Sequence, residues 1–517
     1  MKSKEELFFG DIHNHCNISY AHGDLRDALN NAKQRLDFCS ITGHAHWPDI
    51  PERNGRTDHI VDFHEKGFEK LKGNWQETLR ILEEAEDPGE FLTFPGFEVH
   101  SSAHGDRAIV YRDSEGELLY PDSIPDLERM LADLAKAGSP ALALPHHIGY
   151  HVGARGINWA EFDNEVSPVV EIFSMHGSAE TTEGPLPFLH SMGPADSGST
   201  VQHGLAMGHI FGFVADTDHH SAHPGSYGHG LHGLWATELS REAIWEAYYN
   251  RRTYALTGDR IRLDYSVGES PMGSIRGAGG KRTFRASITG GAAIDYVDLI
   301  HNNRLIRRVT PAEMRPRGGA GDDEGTGAVE GAWIRTKLFL EVGWGPRGKE
   351  IPWNVDLGIE EGEILDVEPR FRGPDVLTPE HESDAPGAAF YSRCERRGER
   401  DVHFKTKTYG NPTTSTPGTQ GVCLEVRMPR DAKIHATLNG TAGETTLDRL
   451  LSGGKSGHVR HEIDSPAWLF HRVPQQWEYR WEIEEECVPE LSPGDFLYVR
   501  VRQQNNQWAW GSPVFVR

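Results

Sequence analysis

No stretch of this 517-residue chain approaches the roughly 18–20 uninterrupted apolar residues that a membrane-spanning helix needs. The opening residues, MKSKEELFFGDIHNH, contain neither an apolar core nor a small-residue cleavage site, so no secretory signal is read there and a cytoplasmic location is expected. Cysteine is scarce. The five residues Cys16, Cys39, Cys394, Cys423 and Cys487 form no C-x-x-C pair, which argues against a disulfide framework and against a thiolate zinc site. Positive charge is also short: 53 Lys and Arg face 77 Asp and Glu, a formal net charge of −24. A field of that sign repels phosphate backbones and anionic membranes, so neither a nucleic acid nor a membrane is an expected partner. G-x-S-x-G and G-x-x-x-x-G-K-[ST] are both missing, which leaves a serine-nucleophile elbow and a phosphate-binding loop unsupported.

What is abundant is histidine. Of 28 in the chain, 21 lie between His13 and His232 and seven in the remaining 285 residues. Generic surface polarity would not segregate in this way, whereas imidazole ligands for metal ions would.

The histidine-rich half alternates strand-like and helix-like segments. Apolar runs at residues 7–12, 38–42, 91–97, 141–144, 169–173 and 210–215 read as strands, and periodic segments at 24–37, 62–86, 125–137, 199–207 and 241–250 read as helices. Such alternation predicts parallel strands with helical crossovers, in an α/β barrel or open sheet. Polar residues recur just past each strand: His13-Asn14-His15, Gly43-His44, Glu98, His146-His147, His176, and Asp216-Thr217-Asp218-His219-His220. The carboxyl ends of the strands are where α/β barrels carry their chemistry. From about residue 263 helical periodicity fades, and short alternating segments with Gly/Pro-rich breaks predict a β-sandwich-like region, with an acidic, glycine-rich loop near 315–331. Trp508 and Trp510 read as buried strand aromatics rather than a carbohydrate platform.

An H-x-H at a strand end places two imidazoles on one side of the chain, because strand side chains alternate with period two. Asp218-x-His220 repeats that geometry. His22, His44 and His146 add imidazoles, and Glu98 adds a carboxylate able to bridge two cations, which a neutral imidazole cannot do.

The segments GDIHNHCNISYAHGD, LDFCSITGH, FPGFEVH, ALPHH and ADTDHHSAHPG, in this order, resemble the PHP (polymerase and histidinol phosphatase) superfamily of metallohydrolases. VEIFSMHGSAE, REAIWEAYYNRRTYALTGDRI and the terminal AWGSPVFVR bring the chain closer still to an uncharacterised PHP-related family, which is similar to a group containing carbaryl hydrolase-like enzymes. The resemblance implies a distorted PHP-type barrel over residues 1–262, followed by a β-rich region over 263–517. It implies two or three divalent ions (Zn, Mn or Fe). His13, His15, Glu98 and Asp218 would hold one ion. Glu98 would bridge to a second, held also by His146 and His104, with His100 and Asp106 as close competitors of His104. His22, His44 and His220 would hold a third. Gly43 stands where the family usually has Asp, so an acceptor for a ligand would be lost there.

The remaining candidates are read from the residues alone. Adjacent side chains diverge in a strand, so only one of His146 and His147 is expected to ligate, with His146 favoured. Glu171 and His176 are read either as orienting ligands or substrate or as structural. Arg107 and Arg155 are candidates for clamping an anionic substrate group. The expected activity is hydrolysis of a phosphoester, or of a small-molecule ester, carbamate or amide bond, by a metal-bridging hydroxide, with Glu98, Asp218 and His176 as the catalytic set. The expected substrate is a small molecule, and a homo-oligomer is the candidate assembly. The rival reading is a catalytically silent, metal-stabilised binding module.

Overall fold

The structure, a computed structural model, describes residues 5–316, 333–373, 383–410, 418–460 and 462–517. The N-terminal half runs β1 (Glu6–Asp11), α1 (Leu25–Lys33), β2 (Phe38–His46), α2 (Asp58–Ala85), β3 (Leu92–Val99), β4 (Arg107–Tyr111), α3 (Ile124–Ala137) and β5 (Ala141–Pro145). It continues through β6 (Val169–Ser174), β7 (Gly177–Ser178), α4 (Val201–Ala206), β8 (Gly212–Ala215), β9 (Leu231–Ala236), α5 (Arg241–Tyr249) and β10 (Thr253–Leu256). No helix among the described residues is long and apolar enough to cross a membrane.

The helices start where the sequence supplies caps. Asp24 accepts from the Arg26 amide at the head of α1, whose buried face is Leu25, Ala28, Leu29 and Ala32. Ser123 caps α3 and Gly138, left-handed at φ 94°, ends it. In α2 the buried residues Val61, Leu71, Trp75, Thr78 and Leu82 recur at helical spacing and pack on β2 and β3.

The strands give a mixed arrangement. One large sheet contains the order β10-β9-β1-β2-β3-β4-β5, and a separate sheet has the order β7-β6-β8. β1–β2, β2–β3 and β6–β8 are parallel as the alternation predicts. The wholly parallel expectation is corrected at β4, which lies antiparallel to both β3 and β5. The cause is the short connection through residues 100–106, far below the roughly dozen residues that a parallel crossover requires. β9 likewise runs antiparallel to β1 and β10.

The second half is β-rich. Two five-stranded sheets, one centred on Trp333–Gly343 and Gln420–Pro429, the other on Glu350–Ile359 and Asp401–Tyr409, enclose a core that includes Leu338, Leu340, Val355, Leu357, Phe404, Leu424 and Val426. Burial alternates along these strands, as a sandwich requires. Most of the glycine-rich loop expected at 315–331 lies outside the described residues. The large sheet continues past residue 262: Trp508–Gly511 pairs with β10, placing Ala255 across from Trp510. Trp510 is fully buried, and its indole N–H donates to Glu180 Oε2 at 2.8 Å.

This strand joins the two halves through one sheet, so its anchor is expected to matter to both. Trp510→Ala should cost about 3–5 kcal/mol and lower the denaturation midpoint seen by probes in either half. An unchanged midpoint in the N-terminal half would show that the two halves are not coupled through this strand.

Candidate metal centre

Just past β1, His13 and His15 both turn toward Asp218, while the Asn14 amide donates to the Ser40 carbonyl at 2.7 Å. The His15 amide donates to the His219 carbonyl, and the Asp218 amide to the His13 carbonyl, both at 2.8 Å. This cross-bonding brings the Asp218 carboxylate against the two rings: Oδ1 lies 3.1 Å from His15 Nε2 and 3.5 Å from His13 Nε2. In the β2–β3 register His44 stands directly across from Glu98, so both project to the same face. β5 ends at Pro145 and delivers His146 and His147 to the same centre.

Glu98 occupies the middle. Its Oε2 lies 3.2 Å from His44 Nδ1, 3.3 Å from His15 Nε2 and 3.6 Å from His13 Nε2. Its Oε1 lies 3.0 Å from His100 Nδ1 and 3.3 Å from His146 Nε2. Burial alone would raise this carboxyl's pKa, but His44, His100 and His146 hold it well below the ordinary carboxylate range. Burial keeps His44 far below the usual imidazole value and brings His146 and His220 to about 3. Burial thus favours the neutral, metal-binding form of these three rings, whereas against the effect of burial Asp218 and Glu171 raise His13, and Glu98 raises His100.

The donor set fits divalent cations. His13 Nε2, Glu98 Oε2 and both ring nitrogens of His44 and of His146 are buried without an aligned hydrogen bond. Desolvated polar atoms in this number are costly unless something satisfies them. Among the described residues, five overlapping groups of ligand atoms, each within 4.8 Å, draw on His13, His15, His44, Glu98, His100, Asp106, His146, His147, His176, Asp218 and His220. Mixed imidazole and carboxylate donors suit Zn, Mn or Fe.

Surrounding carboxylates orient the rings. Glu171 accepts from His13 Nδ1 at 2.8 Å and from the His147 amide at 3.0 Å; burial raises its pKa to about 7. His176 Nε2 sits 2.9 Å from Asp218 Oδ2, while its Nδ1 lies 2.6 Å from the Tyr150 hydroxyl. Arg155 pairs with Asp106, lies 3.7 Å from Glu98 Oε1 and stacks on Trp47 with its guanidinium 5.6 Å from the ring centroid. Above the cluster opens a cleft of about 280 Å³ whose outer wall includes Tyr20, Arg155, Met175, His190 and Met192.

The structure thus brings together His13, His15, His44, Glu98, His146, His176, Asp218, His220 and Arg155. Three predicted residues stand apart. The His22 side chain is 47% exposed and faces Asp384, 3.8 Å away, although its amide bonds the His220 carbonyl. His104 belongs to none of the ligand groups. Arg107 is buried, donating to the carbonyls of His104, Gly105 and Asp106, so it ties down that turn and does not line the cleft.

The antiparallel return of β4 explains both His104's absence and the presence of its competitors. The turn folds Asp106 back onto His100, 2.9 Å away, and leaves His104 outside. The expectation that His147 diverges from His146 is corrected as well: His147 has a left-handed backbone, φ 32°, and its Nε2 reaches to 3.4 Å from Asp106. A side chain at position 43 would meet Leu71 and Ile18, so Gly43 faces α2 and not the metal centre.

Comparison with known proteins gives limited matches. A family model described as "Protein of unknown function (DUF3604)" matches residues 216–270, the segment that holds Asp218 and His220. An uncharacterised protein of Chlamydia pneumoniae is 26% identical over 261 residues, 46% of this chain and 41% of that protein. An uncharacterised protein of Chlamydia trachomatis is 29% identical over 178 residues, 30% of this chain and 28% of that one. The chain therefore spans less than half the length of these relatives. Among solved structures, a two-domain Bacteroides vulgatus protein described as containing a predicted PHP-like metal-dependent phosphoesterase aligns with a TM-score of 0.31 and 16% identity, covering 57% of this chain and 79% of that one.

Elemental analysis of purified variants separates the clustered residues from the outlying ones. Glu98→Gln and His147→Ala should each lower the divalent-metal content. His22→Ala and His104→Ala should leave it at the wild-type level. Metal loss from His22→Ala or His104→Ala, with Glu98→Gln fully loaded, would move the centre elsewhere.

Proposed function

We propose that the protein is a metal-dependent hydrolase acting on a phosphoester, or on an ester, carbamate or amide bond, of a small molecule. The observation that carries this reading is Glu98, whose two oxygens face two different sets of imidazoles across a fully buried centre. That is the arrangement a carboxylate shared by two cations needs. His13, His15 and Asp218 would hold an ion on the Oε2 side, and His100, Asp106, His146 and His147 one on the Oε1 side. His44 and His220, beside His15, offer a third position. Bound there, divalent ions acidify water toward neutral pH and polarise the oxygen of the bond to be cut.

The chain's own groups supply the rest. Asp218, held between His15 and His176, offers a carboxylate oxygen that can accept a hydrogen bond from attacking water and orient it. His176, oriented by the Tyr150 hydroxyl, can hold a proton at Nε2 for the departing group. Arg155 places positive charge over the cleft while Asp106 fixes its position. A cleft of about 280 Å³ suits a small substrate.

The test is a panel on metal-reconstituted protein: p-nitrophenyl phosphate, bis-p-nitrophenyl phosphate, p-nitrophenyl acetate and a naphthyl carbamate. At least one should turn over, lose turnover on chelation and regain it with metal. His176→Ala should reduce kcat by about 10²-fold or more with metal retained. Fully metal-loaded protein inert to the whole panel would favour the silent binding module.

A further inference from the structure

We propose that the seam between the two halves carries a second site, remote from the histidine cluster, that binds a small anion with more than one phosphate group. The chain has a net charge of −24. Yet a cavity of about 590 Å³ between the start of β1 and the strands of the β-rich half is lined by Arg260, Arg262, Arg335, Lys337 and Arg480, against the three carboxylates Asp37, Asp366 and Glu425.

Strand register builds the floor. In the sheet formed by Arg262–Val267, Phe284–Thr289 and Arg480–Glu485, Arg262 pairs with Thr289 and Thr289 with Arg480. Residues in register share a face, so Thr289 lies between the two arginines on the exposed side of the sheet, with the Arg262 guanidinium over the Trp235 ring, 5.9 Å from its centroid. The two Arg Cα atoms are two strand spacings apart, about 10 Å. The neighbouring rows on this face carry their own acids: Asp264, Ser287 and Glu482 in one, Ser266, Arg285 and Glu484 in the next. There Arg285 pairs with Glu484 at 2.7 Å, and the Ser287 hydroxyl donates to Glu482 at 2.9 Å. The Arg–Thr–Arg row has no acid, and neither Arg262 nor Arg480 makes an ion pair among the described residues. On the facing wall the single carboxylate of Glu425 is shared by Arg335 and Lys337. Arg260 is 3.6 Å from Asp366 and lies over the Phe9 ring.

Guanidinium forks match phosphate oxygens in pairs, and a hydroxyl between them supplies a further donor. Two forks about 10 Å apart at their bases fit a chain of phosphates better than a single one. The ligand class is accordingly a free di- or triphosphate or the phosphate end of a nucleotide. Its binding would cross-link Phe9 of the first half to the strands of the second.

Calorimetric titration of the full-length protein with pyrophosphate, triphosphate and ATP tests the proposal. Wild type should bind at least one probe saturably, with affinity falling as salt is raised. Arg262→Ser/Arg480→Ser should weaken binding tenfold or more, and Arg480→Glu alone should weaken it at unchanged thermal stability. Asp218→Asn, which alters only the metal centre, should bind as wild type does. Tighter binding of ATP than of triphosphate would identify a nucleotide, and equal binding the free polyphosphate. No saturable binding of any probe, undiminished binding by the double variant, or loss of binding in Asp218→Asn would each overturn the proposal.

Discussion

A carboxylate buried to 1% exposure sits at the centre of this protein, among imidazoles of which burial keeps His44 and His146 neutral. Glu98 must keep its charge for the cluster to attract cations, and the rings must stay unprotonated to ligate them. The dry environment favours neutral His44 and His146 but opposes the charge on Glu98, which the neighbouring imidazoles restore. The surrounding structure serves this constraint: parallel β2–β3 pairing sets His44 beside Glu98, the β4 return folds Asp106 onto His100, and the Asp218–His13 backbone bond carries Asp218 across. With so many desolvated nitrogen and oxygen atoms lacking aligned partners, cations bound there would link metal binding to folding by supplying what the protein withholds.

Much of this was readable from residue order. Strand ends could be placed from short apolar runs, and the H-x-H pair predicted a one-sided delivery of His13 and His15; at Asp218, left-handed at φ 52°, the D-x-H pair reaches the same cluster without strand alternation. Three features were not readable, each for a physical reason. The loop at 100–106 looks like any polar loop, and only the antiparallel β4 decides that His100 and Asp106 turn inward while His104 does not. The left-handed backbone of His147 defeats strand alternation, and histidine gives no local signal of it as a glycine would. His22 sits in a histidine-rich motif, yet its ring faces Asp384, more than 350 residues further along the chain. No local pattern reports a partner at that separation.

The β-rich half illustrates the same limit on a larger scale. Short alternating segments predicted its sandwich, but the strand Trp508–Gly511 completes a sheet begun in the first half, and the pairing of residues at opposite ends of the sequence carries no short-range signature. This long-range closure makes the halves share a seam, and the seam concentrates arginine in an otherwise acidic chain. The two proposed sites use opposite electrostatics: carboxylate and imidazole collecting cations at one end of β1, guanidinium collecting anions near the other.

The central claim is that Glu98 is shared between two cations. Anomalous diffraction from crystals grown with Mn²⁺ tests it most directly. The account predicts at least two peaks flanking Glu98, one within coordination distance of Oε2 together with His13, His15 or Asp218, the other of Oε1 together with His146. A single peak, or peaks that Glu98 does not touch, would contradict it.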